Sequence, residues 1–183
     1  MKFSSSKWKY VALALAVWMT AQPAWATVLS IPFFSQLDPR WFSKTLCNTV
    51  SMSMALAYRG APVDPGKLKA WLNANKGYSN DGEKGPVNYA VACNYQGTHW
   101  LDYQGPSKLP DLKTLNQQIN SGKIFISQSK RFAIHWVIIR GVSADGTKGY
   151  YWDPWDTVPT TRLIGDGWVN QGILVQVFSV PSH

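Results

Sequence analysis

The residue types change after about two thirds of the chain, and this change limits the folds that the chain can adopt. From residue 123 onwards, four segments are rich in β-branched and aromatic residues: KIFISQ, AIHWVIIRGV, KGYYWDPW and GILVQVFSV. Such residues favour strands, because their side chains fit a pleated, half-buried surface. Turn sequences such as Ala144-Asp145-Gly146 separate the segments. The C-terminal part is therefore predicted to form an antiparallel sheet.

The preceding part of the chain carries helix signals instead. A helix is predicted from Cys47 to Tyr58, ended by Gly60, and another is predicted to begin at Asp64-Pro65, since aspartate caps helices and proline suits their first position. Two more are predicted, over residues 86–95 and over the LKTLNQQIN segment that follows Asp111. Because helices come first and strands second, we expect an α+β fold, with the N-terminal helical half packed on the sheet.

The first 26 residues have the character of a secretory signal peptide. MKFSSSKWKY carries three lysines and no acidic residue, VALALAVWM is an apolar run too short to span a bilayer, and Ala24 and Ala26 supply the small residues that a signal peptidase reads. We therefore expect a single exported domain over residues 27–183, periplasmic or extracellular, with no stable membrane insertion after cleavage. Its length suits one compact core.

Charge and histidine content narrow the range of partners. The formal charge is +8, and it falls to +5 without the three lysines of residues 1–26. The remaining charges are scattered, with no basic run or face, so nucleic acid is not favoured as a partner. The three histidines show no metal-ligand spacing with cysteine, so no metal site is predicted.

Four polar residues fall at places where nucleophilic catalysis would need them. Cys47 begins the first predicted helix, and a helix N-terminus favours a thiolate. His135 lies in a predicted strand, where its imidazole can take up a proton and later give it to a leaving group. Asp153 ends the next strand, so a hairpin could bring its carboxylate beside His135 and fix the tautomer. Gln36 could donate its amide to an oxyanion, together with the backbone N–H of Cys47.

These segments, in this order, resemble the papain-like cysteine peptidases. The similar stretches are IPFFSQLDPRW, the cysteine that begins a helix, SGKIFISQ, HWVIIRGV and YYWDPW. The resemblance is narrower to the bacteriocin-processing peptidases that act on double-glycine leaders, and to their free-standing exported relatives, and it covers nearly all of residues 27–183. It implies a papain-like fold, a peptide or protein substrate and no cofactor.

The resemblance also implies roles for the four residues. Cys47 would be the nucleophile, His135 the general base and acid, Asp153 the orienting residue and Gln36 the oxyanion donor, with a thioester as the acyl-enzyme. The sequence departs from the family pattern at two places. Asn48-Thr49-Val50 replaces the usual Gly-Pro-Thr or a close variant after the cysteine, and Ile134 stands where glycine often precedes the histidine. The first departure bears on the shape of the helix start and of the oxyanion hole.

Two alternatives stay open for the function. The same site could act on the peptide of the cell wall, as a peptidoglycan amidase, endopeptidase or transpeptidase. The second alternative is a different class of protein, in which Cys47 and Cys93 form a disulfide, because an exported chain with two cysteines often pairs them. The chain would then be a stapled binding module without the catalytic thiol.

Two alternatives also stay open for the site. His99 is a rival base, although Asp102 lies too near it in sequence to be a persuasive partner. Asp156 competes with Asp153 for the orienting role, since both follow the same predicted strand.

Overall fold

The structure is a computed structural model that describes residues 27–79, 86–131, 135–164 and 172–181, so the predicted signal peptide lies outside the described residues. The helices of the described residues are α1 Cys47–Tyr58, α2 Pro65–Ala74, α3 Tyr89–Cys93 and α4 Leu112–Asn120, with a 3₁₀ turn at Tyr95–Gly97. The strands are β1 Asp102–Lys108, β2 Ile124–Ser129, β3 His135–Val142, β4 Gly149–Trp152, β5 Arg162–Ile164 and β6 Leu174–Ser179. No helix in these ranges is long and apolar enough to cross a membrane.

All six of these strands form one sheet in the order β1-β6-β2-β3-β4-β5, and every neighbouring pair is antiparallel. The predicted α+β class is confirmed. The two edge strands were not predicted. In β1 the register shifts between Tyr103 and Gly105, and Pro106 follows, a residue that sheets tolerate at their edges. β5 has only three residues, too few for a periodic signal.

The sheet has an apolar core on each face. In β2, Ile124 and Ile126 belong to the core that includes α1, α2 and α3, whereas Phe125 belongs to the core that includes α4. Strand β3 alternates in the same way, with Ile138 in the first core and Val137 in the second. Because successive side chains of a strand point to opposite faces, the helices cover the sheet on both sides.

Helix α1 lies in the first core and has the bounds that the sequence predicts. Its ten residues from Cys47 to Leu56 are buried, including several polar ones. Their side chains find partners: Ser51 Oγ donates to the carbonyl oxygen of Trp136 at 3.2 Å, and Ser53 Oγ donates to that of Thr49 at 2.8 Å. These bonds remove most of the cost of burying hydroxyl groups, and the first of them fixes α1 against β3.

The other helices begin at predicted or identifiable caps. Asp64 accepts a hydrogen bond from the backbone N–H of Lys67 at 2.8 Å, and Asp111 accepts one from that of Thr114 at 2.8 Å. The prediction for residues 86–95 was wrong in extent, since α3 spans only Tyr89–Cys93. Its start is delayed because Val87 pairs with Tyr78 in an isolated β-bridge.

The N-terminal segment, residues 27–31, runs across β3 and β4. Gly141 permits this crossing, because a β-carbon at that position would lie 1.9 Å from the carbonyl oxygen of Thr27. Further along, the indole N–H of Trp152 donates to the carbonyl oxygen of Ile31 at 2.9 Å. These contacts direct the chain towards the end of β4, where the polar residues of the predicted site begin.

Candidate active site

His135 and Asp153 come together at one end of the sheet. β3 begins at His135, β4 ends at Trp152, and the antiparallel pairing of Ile138 with Trp152 brings these two ends side by side. The imidazole Nε2 lies 2.6 Å from Asp153 Oδ1, and both side chains are buried. The hairpin therefore has the effect that the sequence suggested.

The Asp153 carboxylate has partners on both oxygens. Oδ1 also accepts the backbone N–H of Trp155 at 2.8 Å, and Oδ2 accepts Nη1 of Arg131 at 2.8 Å. Burial by itself would raise the pKa of Asp153, but the hydrogen bonds from His135 and Arg131 outweigh it and lower the pKa to about 2. Asp153 is therefore an ionised partner for the imidazole at neutral pH.

Cys47 lies at the first position of α1 and is 7% exposed. Leu46 precedes the helix and offers no side-chain cap, and the first turn of α1 has no acidic residue. The backbone N–H groups at this helix end carry a partial positive charge, so they can stabilise a thiolate or bond to an oxygen of a substrate. Because Nε2 of His135 is bonded to Asp153, Nδ1 is the ring nitrogen left for Cys47, the second hydrogen-bond partner of His135.

The imidazole is held in its charged form by this arrangement. Burial lowers the pKa of His135, but the hydrogen bonds with Asp153 and Cys47 outweigh burial and raise the pKa to about 9. An imidazolium at neutral pH can form an ion pair with a thiolate and can protonate a leaving group.

Gln36 lies beside both halves of this arrangement. Its backbone N–H donates to the carbonyl oxygen of Pro154 at 2.8 Å, which ties it to the loop that follows Asp153. Its amide Nε2 lies 3.4 Å and 3.5 Å from the carbonyl oxygens of Ser43 and Lys44, in the segment that leads to α1. The side chain is fully buried, and Oε1 has no hydrogen-bond partner among the described residues.

Asn48, which departs from the family pattern, is held in a defined orientation. Its Oδ1 accepts the phenol O–H of Tyr89 at 2.5 Å, while its buried Nδ2 has no hydrogen-bond partner among the described residues. The bond links the amide of Asn48, at the start of α1, to Tyr89 of α3. The start of α1 is thus braced by a side chain that glycine could not provide.

Sequence reasoning missed Trp155. Its ring packs edge-on against the imidazole of His135, with centroids 6.4 Å apart and planes at 87°. Its backbone N–H also bonds to Asp153. The sequence signal was present, since Trp155 lies two residues after Asp153 in YYWDPW. The tryptophan supports the His–Asp pair from one side.

Sequence reasoning also missed a cluster of two arginines around the two aspartates. Asp156, the competitor for the orienting role, bonds to Arg162 through both oxygens, at 2.7 Å and 2.5 Å, and to Nη1 of Arg131 at 3.3 Å. The bond to the histidine goes to Asp153 instead. The geometry therefore gives the contact with His135 to Asp153, although Arg131 bonds to both aspartates.

The rival base, His99, belongs to a separate pair. Its Nε2 lies 2.6 Å from Asp102 Oδ1, so the interpretation that Asp102 is too near in sequence to be its partner was wrong. Its Nδ1 lies 3.0 Å from Oδ1 of Asn94, whose own Nδ2 donates to the carbonyl oxygen of Ala90 at 2.9 Å. Both ring nitrogens of this half-exposed histidine therefore have partners other than Cys47.

The two cysteines are not joined. Cys47 and Cys93 are both free thiols in the structure. Cys93 ends α3 inside the first core, and burial raises the pKa of its thiol to about 12. It is therefore a buried helix thiol. Among the described residues there is no group of three or more histidine, cysteine, aspartate or glutamate side chains that could hold a metal ion.

The antiparallel sheet with its packed helices, together with the family match, places the chain in the class of the papain-like cysteine peptidases. Within that class the chain belongs to the Peptidase_C39 like family, whose sequence pattern residues 28–165 match. It is similar in fold to the crystal structure of a protein described as a C39-like peptidase from Bacillus anthracis, with a TM-score of 0.56 and 19% sequence identity over 86% of this chain and 99% of that chain. No curated protein matches the chain.

The comparisons confirm the predicted papain-like class and the cysteine-peptidase assignment. The narrower resemblance, to the bacteriocin-processing branch, stays a prediction.

Proposed function

We propose that this cysteine peptidase cleaves amide bonds of peptide or protein substrates with Cys47 as nucleophile, His135 as acid and base, Asp153 as orienting residue and Gln36 as oxyanion donor. The observation that carries the proposal is that His135 is hydrogen-bonded both to Asp153, through Nε2, and to Cys47 at the start of a helix. A carboxylate, an imidazole and a thiol in this order form the arrangement that activates a nucleophile.

In the first half of the proposed reaction, the Cys47 thiolate attacks the carbonyl carbon of the substrate. The carbonyl oxygen becomes an oxyanion, which accepts hydrogen bonds from the backbone N–H of Cys47 and from the Gln36 amide. As the tetrahedral intermediate collapses, the His135 imidazolium gives its proton to the leaving nitrogen. The amine departs, and a thioester to Cys47 remains.

In the second half, water attacks the thioester carbonyl while neutral His135 takes up its proton. The resulting oxyanion is held by the same donors, and its collapse expels the Cys47 thiolate and the carboxylic acid product. His135 is an imidazolium again at the end. Asp153 stays ionised throughout and keeps Nδ1 of the ring directed at the sulfur by holding Nε2.

Substitution at the nucleophile tests the proposal. Cys47→Ala should abolish turnover and leave the fold intact, because alanine is well tolerated in a helix. Asp153→Asn should lose less activity, since it perturbs the orientation of the imidazole and not the nucleophile. The assay is mass spectrometry of peptide mixtures that include double-glycine leader peptides, with peptidoglycan fragments as a separate set. Turnover by Cys47→Ala at the rate of the unaltered protein would exclude the mechanism.

The choice between the two substrate sets is part of the same experiment. Release of new termini from the peptides alone supports a peptidase of peptides or proteins. Release of new termini from the peptidoglycan fragments alone would mean that the same mechanism acts on the peptide of the cell wall.

We propose further that residues 1–26 export the enzyme, so that it acts in the periplasm or outside the cell. The support is the sequence of lysines, apolar run and small residues that precedes Thr27. N-terminal sequencing of the protein recovered from its producing cell should then begin at Thr27. A sequence beginning at Met1 would contradict export with cleavage.

A further inference from the structure

The two carboxylate oxygens of Asp153 have different hydrogen-bond partners. Oδ1 receives Nε2 of His135 at 2.6 Å, and Oδ2 receives Nη1 of Arg131 at 2.8 Å. The Asp153 side chain is fully buried, whereas Arg131 is 34% exposed. A carboxylate that is bonded on both oxygens cannot rotate without breaking a charge-assisted bond in the interior. Arg131 therefore restrains the side-chain torsions of the residue that holds the histidine.

Arg131 is itself braced from two further parts of the chain. It follows β2, and the same Nη1 atom lies 3.3 Å from Asp156, in the loop after β4. Asp156 is bonded in turn by Arg162, on the edge strand β5. The Nε atom of Arg162 also lies 3.9 Å from Oδ2 of Asp153. The brace connects Arg131, which follows β2, to the loop after β4 and to β5, and it ends on the buried oxygen of Asp153.

The charges of this cluster balance. Arg131 and Arg162 supply two positive charges and Asp153 and Asp156 two negative ones, so the arginines offset the field of the aspartates at His135. A countercharge alone would therefore oppose protonation of the histidine. Arg131 can favour the imidazolium only by keeping Oδ1 of Asp153 in place on Nε2.

We propose that Arg131 is a positioning residue of the catalytic site: by holding Oδ2 of Asp153, it keeps Oδ1 on the imidazole of His135. The inference rests on the proposed function for its consequence in catalysis, because it assigns no contact between Arg131 and the substrate. Its structural content, the coupling of Arg131 to the His135–Asp153 bond, is independent of any substrate.

The test is a pH titration of His135 followed by nuclear magnetic resonance of histidine-labelled protein, with Arg131→Ala compared with the unaltered chain. Loss of positioning lets the carboxylate turn away, so the titration midpoint of His135 should fall by about one pH unit or more. Loss of a mere countercharge would do the opposite and raise the midpoint. A raised or unchanged midpoint would overturn the proposal.

Two variants control this measurement. Arg131→Lys keeps a cation that can donate to both aspartates, so its midpoint should lie nearer that of the unaltered protein. Arg40→Ala removes an arginine from a similar ion pair, 2.7 Å from Asp38 and without contact to Asp153, and should leave the midpoint unchanged. The remaining titratable groups that act on His135 and Asp153, Cys47 on α1 and Tyr151 on β4, are the same in every variant.

A second readout joins the inference to catalysis. Arg131→Ala should lower kcat/KM by about ten- to a hundredfold, the range known for residues that orient the ligands of metal sites, with most of the loss in kcat. Thermal unfolding of each variant shows that it is folded at the assay temperature. If no substrate is cleaved by the unaltered protein, the proposed function fails while the His135 titration still decides the role of Arg131.

Discussion

At the scale of single residues, the two cysteines differ in their surroundings although both are buried. Cys47 stands at a helix start as a hydrogen-bond partner of His135 and is 7% exposed, whereas Cys93 ends α3 and is 1% exposed. Burial raises the pKa of Cys93 to about 12, so its thiolate is scarce at neutral pH. The thiolate is the form that reacts with alkylating agents, so the two side chains should be labelled at different rates.

We therefore expect iodoacetamide to label Cys47 and spare Cys93 in the native protein near pH 7. Mass spectrometry of the digested protein identifies the labelled residue, and labelling of both cysteines in denaturant is the control. If neither cysteine reacts until a reductant is added, the two are joined and the stapled binding module is the correct description.

The residue scale also shows which parts of the site were accessible from the sequence. Cys47, His135 and Asp153 stand at recognisable places, a helix start and the ends of strands, and the order of the segments supported these three residues and Gln36. Arg131 could not be predicted in the same way, and Trp155 was missed although it lies only two residues after Asp153. The role of Arg131 comes from a bond to Asp153, 22 residues further along the chain, and such a bond leaves no local pattern.

At the scale of elements, the close crossing of the N-terminal segment over β3 depends on Gly141. Gly141→Ala places a methyl group where the carbonyl oxygen of Thr27 lies, and the contacted atoms are backbone, which cannot move aside cheaply. We expect the substitution to lower the free energy of unfolding by about 1–3 kcal/mol, as forced overpacking does. Urea denaturation measures this loss.

Gly66→Ala is the matched control for that substitution. Gly66 lies in α2, and a β-carbon there would have a side-chain oxygen of Asp64 at 3.3 Å as its nearest neighbour. Alanine favours a helix over glycine, so this variant should be as stable as the unaltered protein or slightly more stable. Equal unfolding free energies for the two variants would contradict the crossing.

The elements that the sequence predicted well are those with strong periodicity or caps. Helices α1, α2 and α4 have the expected starts, because Asp64 and Asp111 are capping residues and Gly60 ends the first of them. Strand β1 was hidden by Gly105 and Pro106, and β5 by its length of three residues. Such short or interrupted strands are defined by their neighbours in the sheet and not by their own composition.

At the scale of the whole molecule, the site joins the two halves of the fold. Gln36 and Cys47 come from the part before the sheet, while His135 and Asp153 come from the sheet itself. The hydrogen bonds of the site are therefore also contacts between the halves. Their protonation state should influence the stability of the whole protein, as well as its activity.

The direction of this influence follows from the two shifted groups. The pKa of His135 is raised from 6.5 to about 9, so its stabilisation is fully present below pH 6.5 and is lost as the pH rises through about 9. The pKa of Asp153 is lowered from 3.8 to about 2, so its stabilisation is present above pH 3.8 and is lost as the pH falls through about 2. The stabilisation from His135 and that from Asp153 are both fully present only from about pH 4 to 6.5.

We therefore expect the free energy of unfolding to decline between pH 6.5 and 9, and we expect His135→Gln to remove most of that decline. Glutamine is close in size to histidine and does not titrate, so the variant tests the protonation and not the packing. Urea denaturation at intervals of pH gives the slope for each protein. The same slope in both proteins would mean that the decline comes from other groups, and that protonation of His135 does not stabilise the fold.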